Sequence, residues 1–149
     1  MLNDLFSIGI SKIIIGTLAL ENESEFKKML ESYSDKIIVS LDSRNGSLAK
    51  RGWIEITEKS LVETAHSLKK LGVKNFIFTD VLKDGTLTRP NYKEIQKLAD
   101  SIKMPLIIAG GISFLEDIQK LKSMNIEVVI IGKALYEGKI NLKEAINVS

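Results

Sequence analysis

The chain has 149 residues, enough for one ordinary domain, and its 44% hydrophobic and 27% charged content is typical of a globular protein. The formal net charge is only +2, the lysines are dispersed, and no apolar run approaches the roughly 18 residues of a membrane helix, so neither a nucleic acid nor a membrane is indicated as a partner. Cysteine is absent, which excludes a disulfide scaffold and thiolate metal ligands and favours a cytoplasmic location.

Five short apolar runs, rich in β-branched residues, predict β-strands. Their hydrophobicity is nearly continuous rather than alternating, which is typical of strands that are buried on both faces of a parallel sheet. In chain order the predicted strands are residues 13–15, 37–41, 76–78, 106–109 and 128–131.

Helical patterns lie between these strands. In residues 57–71, Leu61, Ala65 and Leu68 recur on one stripe, and Gly72 supplies an end. Strands and helices alternate without a Pro/Gly/Ser linker, so we expect one α/β domain over residues 1–149, with a parallel sheet and right-handed crossovers. Three further helix starts show the spacing of a capping box, namely Asn91 with Glu94, Ser113 with Glu116, and Asn141 with Glu144.

An internal repeat indicates which α/β architecture is present. The stretch LFSIGISKIIIGTLALE, from Leu5, aligns with LKSMNIEVVIIGKALYE, from Leu121, with seven of seventeen positions identical at a constant offset of 116. Four strand-helix units separate the two copies, about 29 residues each, so eight units would need about 232 residues, close to the roughly 250 of a (β/α)₈ TIM barrel. The repeat therefore predicts that the chain contains strands four to eight of such a barrel, as about five strand-helix units.

The same alignment leaves the predicted barrel incomplete. Met1 aligns with Asp117, inside a predicted helix, and the first three strand-helix units have no counterpart in the 149 residues. Five parallel strands do not close an eight-stranded barrel, and open sheet edges pair readily with other chains. Either the chain is a fragment or a gene-truncated form, or copies of it associate to cover the edges, and we expect self-association through the open barrel edges.

Glycine turns follow the last two predicted strands. Gly110 and Gly111 precede a helix, and Gly132 and Lys133 follow the next strand. Backbone amides at a glycine turn that opens a helix bind anions, and the loops after the last two strands are the usual phosphate site of a (β/α)₈ barrel. The alternative is that these glycines only permit tight turns.

The repeat predicts a second anion site, because Gly16 and Thr17 correspond to Gly132 and Lys133. Two such sites across one barrel mouth indicate a small-molecule substrate that is phosphorylated at both ends. No cluster of His, Asp or Glu has the spacing of metal ligands, so no metal is expected.

Polar side chains at other strand ends are candidates for catalysis. Asp42 follows the strand 37–41 and can act as a general acid or base, or else cap the turn that follows it. Thr79 and Asp80 alternate about their strand, so only one of them faces the barrel mouth. Trp53, the single tryptophan, lies in a long connection, either as a core residue or as a lid over an aromatic substrate.

Four stretches resemble the histidine-biosynthesis isomerase family, that of the phosphoribosylformimino-5-aminoimidazole carboxamide ribotide isomerase. They are SLDSRNGSLAKRGW, FTDVLKDGTLTRPN, IIAGGISFLEDIQKLK and VVIIGKALYEGKINLKEAI, and the resemblance extends over essentially the whole chain. It implies a (β/α)₈ barrel that performs an Amadori rearrangement, converting an aminoaldose to an aminoketose without a cofactor.

The resemblance also implies roles for individual residues. Asp42 matches the general acid that opens the ribose ring, Thr79 matches a hydroxyl beside the reacting sugar, and Trp53 matches the aromatic residue that closes over the imidazole. The phosphate sites match Gly16 and Thr17 on one side, and the turns at 110–111 and 132–133 on the other.

One member of the family's catalytic pair has no match in this sequence. The general base belongs to the first barrel strand, so the resemblance implies that the 149 residues alone turn over poorly. Two other functions stay open, the C-terminal part of the sister cyclase (the imidazole glycerol phosphate synthase cyclase subunit) and a non-catalytic, phosphate-binding half-barrel.

Overall fold

The computed structural model describes residues 2–149. The strands are β1 (Ile13–Ile15), β2 (Ile37–Arg44), β3 (Ser47–Lys50), β4 (Glu55–Ser60), β5 (Phe76–Asp80), β6 (Leu106–Ala109) and β7 (Val128–Ile130). The helices are α1 (Leu2–Ser7), α2 (Thr17–Glu21), α3 (Glu23–Tyr33), α4 (Leu61–Leu71), α5 (Tyr92–Ile102), α6 (Leu115–Ser123), α7 (Lys133–Tyr136) and α8 (Leu142–Val148), with a 3₁₀ turn at Ser34–Lys36. Within residues 2–149 no helix has the length and apolarity needed to cross a bilayer.

Five of the seven strands form a parallel sheet in which neighbours in sequence are neighbours in space. Their order is β1, β2, β5, β6, β7, and each pairing is parallel. Helices connect them, so the chain winds in one direction, as the wall of a (β/α)₈ barrel does. This confirms the predicted partial barrel with about five strand-helix units.

The buried core lies between the sheet and the helices. Leu41, Phe76, Phe78 and Ile108 are fully buried on the side of the strands that packs against helical residues such as Leu98. The opposite, inner face of the sheet is covered only in its middle. At its two outer strands the apolar side chains are exposed, Ile14 by 60%, Val128 by 49% and Ile130 by 45%.

The expectation that every strand is buried on both faces is therefore correct for the central strand and wrong for the outer ones. All five residues of β5 are buried, whereas β1 and β7 each expose part of their length. The physical reason is position, since β5 has a strand on either side and β1 and β7 are the ends of the parallel array.

A hairpin replaces the first turn of one predicted helix. Residues 57–60 were expected to be helical, but Glu55–Ser60 forms β4, and α4 begins at Leu61. β4 pairs with β3, which is itself joined to β2 by a turn at Asn45 and Gly46, whose φ angles of 54° and 82° are those of a two-residue type I′ turn. The Asn-Gly pair is the sequence signal for the β2–β3 hairpin, and β4 extends that hairpin by one more antiparallel strand.

Two of the three predicted helix caps are confirmed, and the third is wrong by one residue. The side chain of Asn91 accepts from the amide of Glu94, and that of Asn141 accepts from the amide of Glu144. At α6 the capping carboxylate is Asp117 rather than Glu116. The helix begins at Leu115, which makes Asp117 its third residue.

The two-sided sheet makes a testable prediction about two isoleucines on neighbouring strands. Ile108→Ala leaves a cavity in the fully buried layer and should lower the free energy of unfolding by about 2–5 kcal/mol. Ile130→Ala removes a side chain that is 45% exposed and should cost less than about half as much. Urea unfolding of both variants measures the difference, and equal losses would contradict the assignment of the core to the helical side.

Candidate active site

The carboxyl ends of the parallel strands meet along one rim. In the strand registers Asp42 is opposite Thr79, Thr79 is opposite Ala109, and Ala109 is opposite Ile130. The turn at Gly110 directly follows this row. The residues predicted from sequence at the ends of β2, β5 and β6 are therefore brought to one edge of the sheet, where (β/α)₈ barrels place their active sites.

Asp42 is engaged by two side-chain donors on its two carboxylate oxygens. The hydroxyl of Ser40 donates to Oδ1 at 2.7 Å, and the indole Nε1 of Trp53 donates to Oδ2 at 2.8 Å. The turn that Asp42 was alternatively expected to cap uses another residue, since the amide of Gly46 donates to the hydroxyl of Ser43. The carboxylate is thus held at the rim and takes no part in the turn.

Ser40 is a site residue that the sequence prediction missed. It precedes Asp42 by two positions in β2, so both side chains lie on the same face of the strand. That spacing is the signal that identifies it. Its hydroxyl orients the carboxylate and leaves Oδ2 to Trp53.

Trp53 lies at the tip of the hairpin between β3 and β4 and is 37% exposed, so it is not a core residue. Arg51, Gly52 and Trp53 have φ angles of 52°, 64° and 71°, a left-handed run in which two of the three residues are not glycine. Such conformations are costly and concentrate at functional sites. This run aims the indole back across the rim to Asp42.

The hairpin tip is also fixed to the turn after β1. The backbone amide of Arg51 donates to Thr17 Oγ1 at 3.0 Å. Lys50 Nζ lies 2.6 Å from Glu21 Oε1, and Arg51 Nη1 lies 2.7 Å from Glu55 Oε1. The hydrogen bond from Lys50 lowers the pKa of the Glu21 and Glu55 carboxyls, so these side chains stay charged and bridge α2 to the hairpin.

Of the neighbouring pair Thr79 and Asp80, Asp80 faces the helices. Its carboxylate is buried, and it accepts from the amide of Leu82 at 2.9 Å and from Asn91 Nδ2 at 3.2 Å, at the start of α5. Because side chains alternate along a strand, Thr79 lies on the inner face with Asp42. The expectation that only one of the two faces the mouth agrees with this geometry.

The glycines at 110 and 111 are required by the fold itself. Their φ angles are 87° and 82°, and a Cβ on Gly111 would lie 2.7 Å from the carbonyl oxygen of Arg89. A Cβ on Gly110 would lie 3.0 Å from the carbonyl oxygen of Asp80. Close approach of residues 80–89 and the positive φ angles therefore account for both glycines without a ligand.

Gly132 and Gly16 are not explained by close packing. Apart from its own chain neighbours, no atom of residues 2–149 lies within 4 Å of a Cβ built on Gly132, and only Ser40 Cβ, at 4.0 Å, approaches Gly16. Their φ and ψ angles nearly coincide, −102° and −104° against −107° and −102°. The internal repeat thus extends to the backbone, and the space before both turns is open to a ligand.

Lys133 belongs to a small cavity of about 70 Å³ at the same end of the sheet. Its walls are residues 84–87 on one side and the turns at 109–112 and 130–133 on the other. The Lys133 ammonium lies 3.5 Å from Glu137 Oε1 and is half-exposed, so it remains accessible from the cavity. A cation beside two glycine turns, of which the one at Gly132 opens α7, suits an anionic group.

Comparison with known proteins agrees with these features. A family model described as histidine biosynthesis protein matches residues 1–141. The chain is 45% identical over 145 residues to a 1-(5-phosphoribosyl)-5-((5-phosphoribosylamino)methylideneamino)imidazole-4-carboxamide isomerase of Bacillus cytotoxicus, covering 97% of this chain and 61% of the relative. A protein of the same name in Dehalococcoides mccartyi is 45% identical over 141 residues, covering 95% of this chain and 60% of the relative.

The contact between the glycine turn and residues 80–89 predicts a specific loss of stability. Gly111→Ala should lower the free energy of unfolding by about 1–3 kcal/mol more than Gly138→Ala, because its Cβ overlaps a backbone carbonyl. Gly138 is the matched control, with a φ of 68° and no atom of the described chain within 4 Å of its Cβ. Equal losses in denaturant unfolding would show that the left-handed backbone alone accounts for the glycine.

Proposed function

The chain belongs to the histidine biosynthesis protein family, and on that premise we propose that it forms the catalytic-acid part of an aldose-ketose isomerase. The reaction is the Amadori rearrangement of a bis-phosphorylated aminoaldose to the aminoketose. The observation that supports the proposal most directly is the placement of Asp42, Thr79 and the glycine turns on one rim. Relatives that are 45% identical bear the name of an isomerase.

The chain spans about 60% of the length of these relatives, and the proposal includes a part for the remainder. An Amadori rearrangement needs an acid at the ring oxygen and a base at C2 of the sugar. Asp42 supplies the acid. We assign the base to the first barrel strand, which has no counterpart in the 149 residues.

In the proposed mechanism Asp42 protonates the ribose ring oxygen, and the ring opens to an imine at C1. The base removes the proton from C2, and the resulting enamine tautomerises to the ketone. Ser40 keeps the carboxyl oriented through Oδ1. Trp53 leaves Oδ2 when it closes over the imidazole, and that oxygen then carries the transferred proton.

The two turns hold the phosphates at opposite ends of the substrate. Thr17 Oγ1 already accepts from the amide of Arg51, so its own hydroxyl hydrogen is available for a phosphate oxygen. On the other side the amides at 110–111 and 132–133, with the Lys133 ammonium, take the second phosphate. Fixing both ends keeps a flexible sugar in register with Asp42.

The steps are proton transfers and the cleavage of the bond between C1 and the ring oxygen, with no net oxidation or reduction, so the proposed reaction requires no cofactor. We place the enzyme in the cytoplasm, because a chain without cysteine forms no disulfide and does not require an oxidising compartment. The sister cyclase is less favoured, because the matched relatives are named isomerases. A non-catalytic half-barrel would bind phosphate at the same turns, and an activity assay separates it from the enzyme.

We also propose that the exposed inner face and outer strands make the chain self-associate. Ile14, Val128 and Ile130 form apolar borders on the two strands that end the parallel array. Unpaired strand edges with apolar neighbours associate with other strands. A second copy offers the same two borders.

The general-acid assignment is tested with Asp42→Asn in two settings. The 149-residue chain alone should isomerise the aminoaldose about 10²–10⁴-fold more slowly than the chain joined to the preceding part of the Bacillus cytotoxicus relative. In the joined enzyme Asp42→Asn should lower kcat by a similar factor of about 10²–10⁴. Asp100→Asn, on exposed α5 surface, is the control and should leave turnover unchanged. Unaltered turnover in the Asp42→Asn variant would refute the assignment of Asp42 as the general acid.

Self-association is tested by light scattering and by binding of an apolar dye. The chain should scatter as more than a monomer, and Ile14→Lys should shift it towards monomer because a charge then lies on the inner face. Ile146→Lys is the control, since Ile146 is similarly exposed, at 64%, but lies on α8. A monodisperse monomer that does not bind the dye would contradict the proposal.

A further inference from the structure

A fully buried carboxylate lies directly behind the glycine turn. Asp117 is 0% exposed, although it is the third residue of α6. Its Oδ2 accepts from the amides of Ser113 and Phe114, at 2.9 and 3.0 Å. Its Oδ1 accepts from the hydroxyl of Tyr92 at 2.6 Å. A buried charge is tolerated only with several donors of this kind.

These contacts join two loops that are distant in sequence. Arg89 Nη1 lies 3.7 Å from Asp117 Oδ1, and the Arg89 amide donates to the Ser113 hydroxyl at 3.3 Å. That hydroxyl in turn donates to the carbonyl of Gly111 at 2.6 Å. The glycine turn is therefore attached to the loop before α5 through Asp117 and Ser113 together.

Tyr92 is suited to a lasting contact with the carboxylate. Burial, together with the hydrogen bond to Asp117, raises the pKa of the Tyr92 phenol above its usual value, so the hydroxyl stays protonated and donates. The Lys120 ammonium lies 4.1 Å from the centre of the Tyr92 ring and packs on it. The phenol is thus held from two sides.

The charge of Asp117 opposes an anion in the turn, so any benefit to anion binding must come from geometry. By taking the amides of Ser113 and Phe114, Asp117 fixes the backbone that follows Gly111. The preceding residues, Gly110 and Gly111, line the adjoining cavity, and in the proposed site their amides are the donors to the phosphate.

We propose that Asp117 and Tyr92 are positioning residues that set the conformation of the 110–112 turn for phosphate. This inference rests on the proposed phosphate site at that turn. Asp117 acts through the backbone and does not touch the anion. Tyr92 acts one step further out, by fixing Asp117 against the loop before α5.

The test titrates inorganic phosphate into the full 149-residue chain and follows amide NMR signals of Gly111 and Thr17, which report the two turns separately. Asp117→Ala should weaken phosphate binding at Gly111 by about tenfold, and Tyr92→Phe, which removes only the hydroxyl, by about threefold. Binding at Thr17 should be unchanged in both variants. Glu116→Ala is the matched control, because it removes the adjacent, exposed carboxylate of the same helix.

Each other outcome is decisive. Phosphate binding at Gly111 that neither variant changes would overturn the positioning role and leave the proposed phosphate site intact. Equal weakening at Gly111 and Thr17 would show a general loss of structure and overturn the role as well. No response at Gly111 in the unaltered chain would refute the phosphate site itself, and with it this proposal. If Asp117→Ala fails to fold, Tyr92→Phe decides.

Discussion

The parallel pairing of β2 with β5 is the constraint on which the rim depends. In that ladder Leu41 is opposite Phe78 and Asp42 is opposite Thr79. Leu41 and Phe78 are fully buried against the helices, so the adjacent pair must lie on the inner face. A shift of one residue would move Asp42 into the helical core and place leucine at the mouth. The cost of burying that charge fixes the register and hence the geometry of the proposed active site.

Two kinds of support surround the rim. Behind the strands, Asp80 and Asp117 are buried polar anchors, and no buried side-chain polar atom of residues 2–149 lacks a hydrogen-bond partner. In front of it, the hairpin with Trp53 is held by exposed ion pairs to Glu21, which contribute little individually. The glycine turn at 110–111 thus has a rigid base, whereas Trp53 has a support that solvent and ligand can displace.

The sequence predicted the five parallel strands because their apolar runs are continuous. The internal repeat that matches Gly16 with Gly132 predicted their order in a barrel. It did not predict β4, because residues 55–60 are mostly polar and their spacing also suits the first turn of α4. The hydrogen bond from Trp53 to Asp42 could not be predicted from the sequence, since it depends on the left-handed backbone at the hairpin tip. Asp117 was missed because the spacing of Ser113 and Glu116 predicted a helix start one residue earlier than the observed start of α6 at Leu115.

The matching backbone of Gly16 and Gly132 has a consequence for substrate orientation. In the proposed enzyme, the matching backbone of the two turns would by itself admit a doubly phosphorylated molecule in either direction, although Thr17 follows one glycine and Lys133 the other. Direction must come from what differs beside each turn. Next to Gly16 this is the Trp53 hairpin, attached through Thr17, and next to Gly132 it is residues 84–87. In the proposed enzyme, the similar backbone of the two turns would provide affinity for the phosphates. The different residues beside the two turns would set the direction in which the substrate binds.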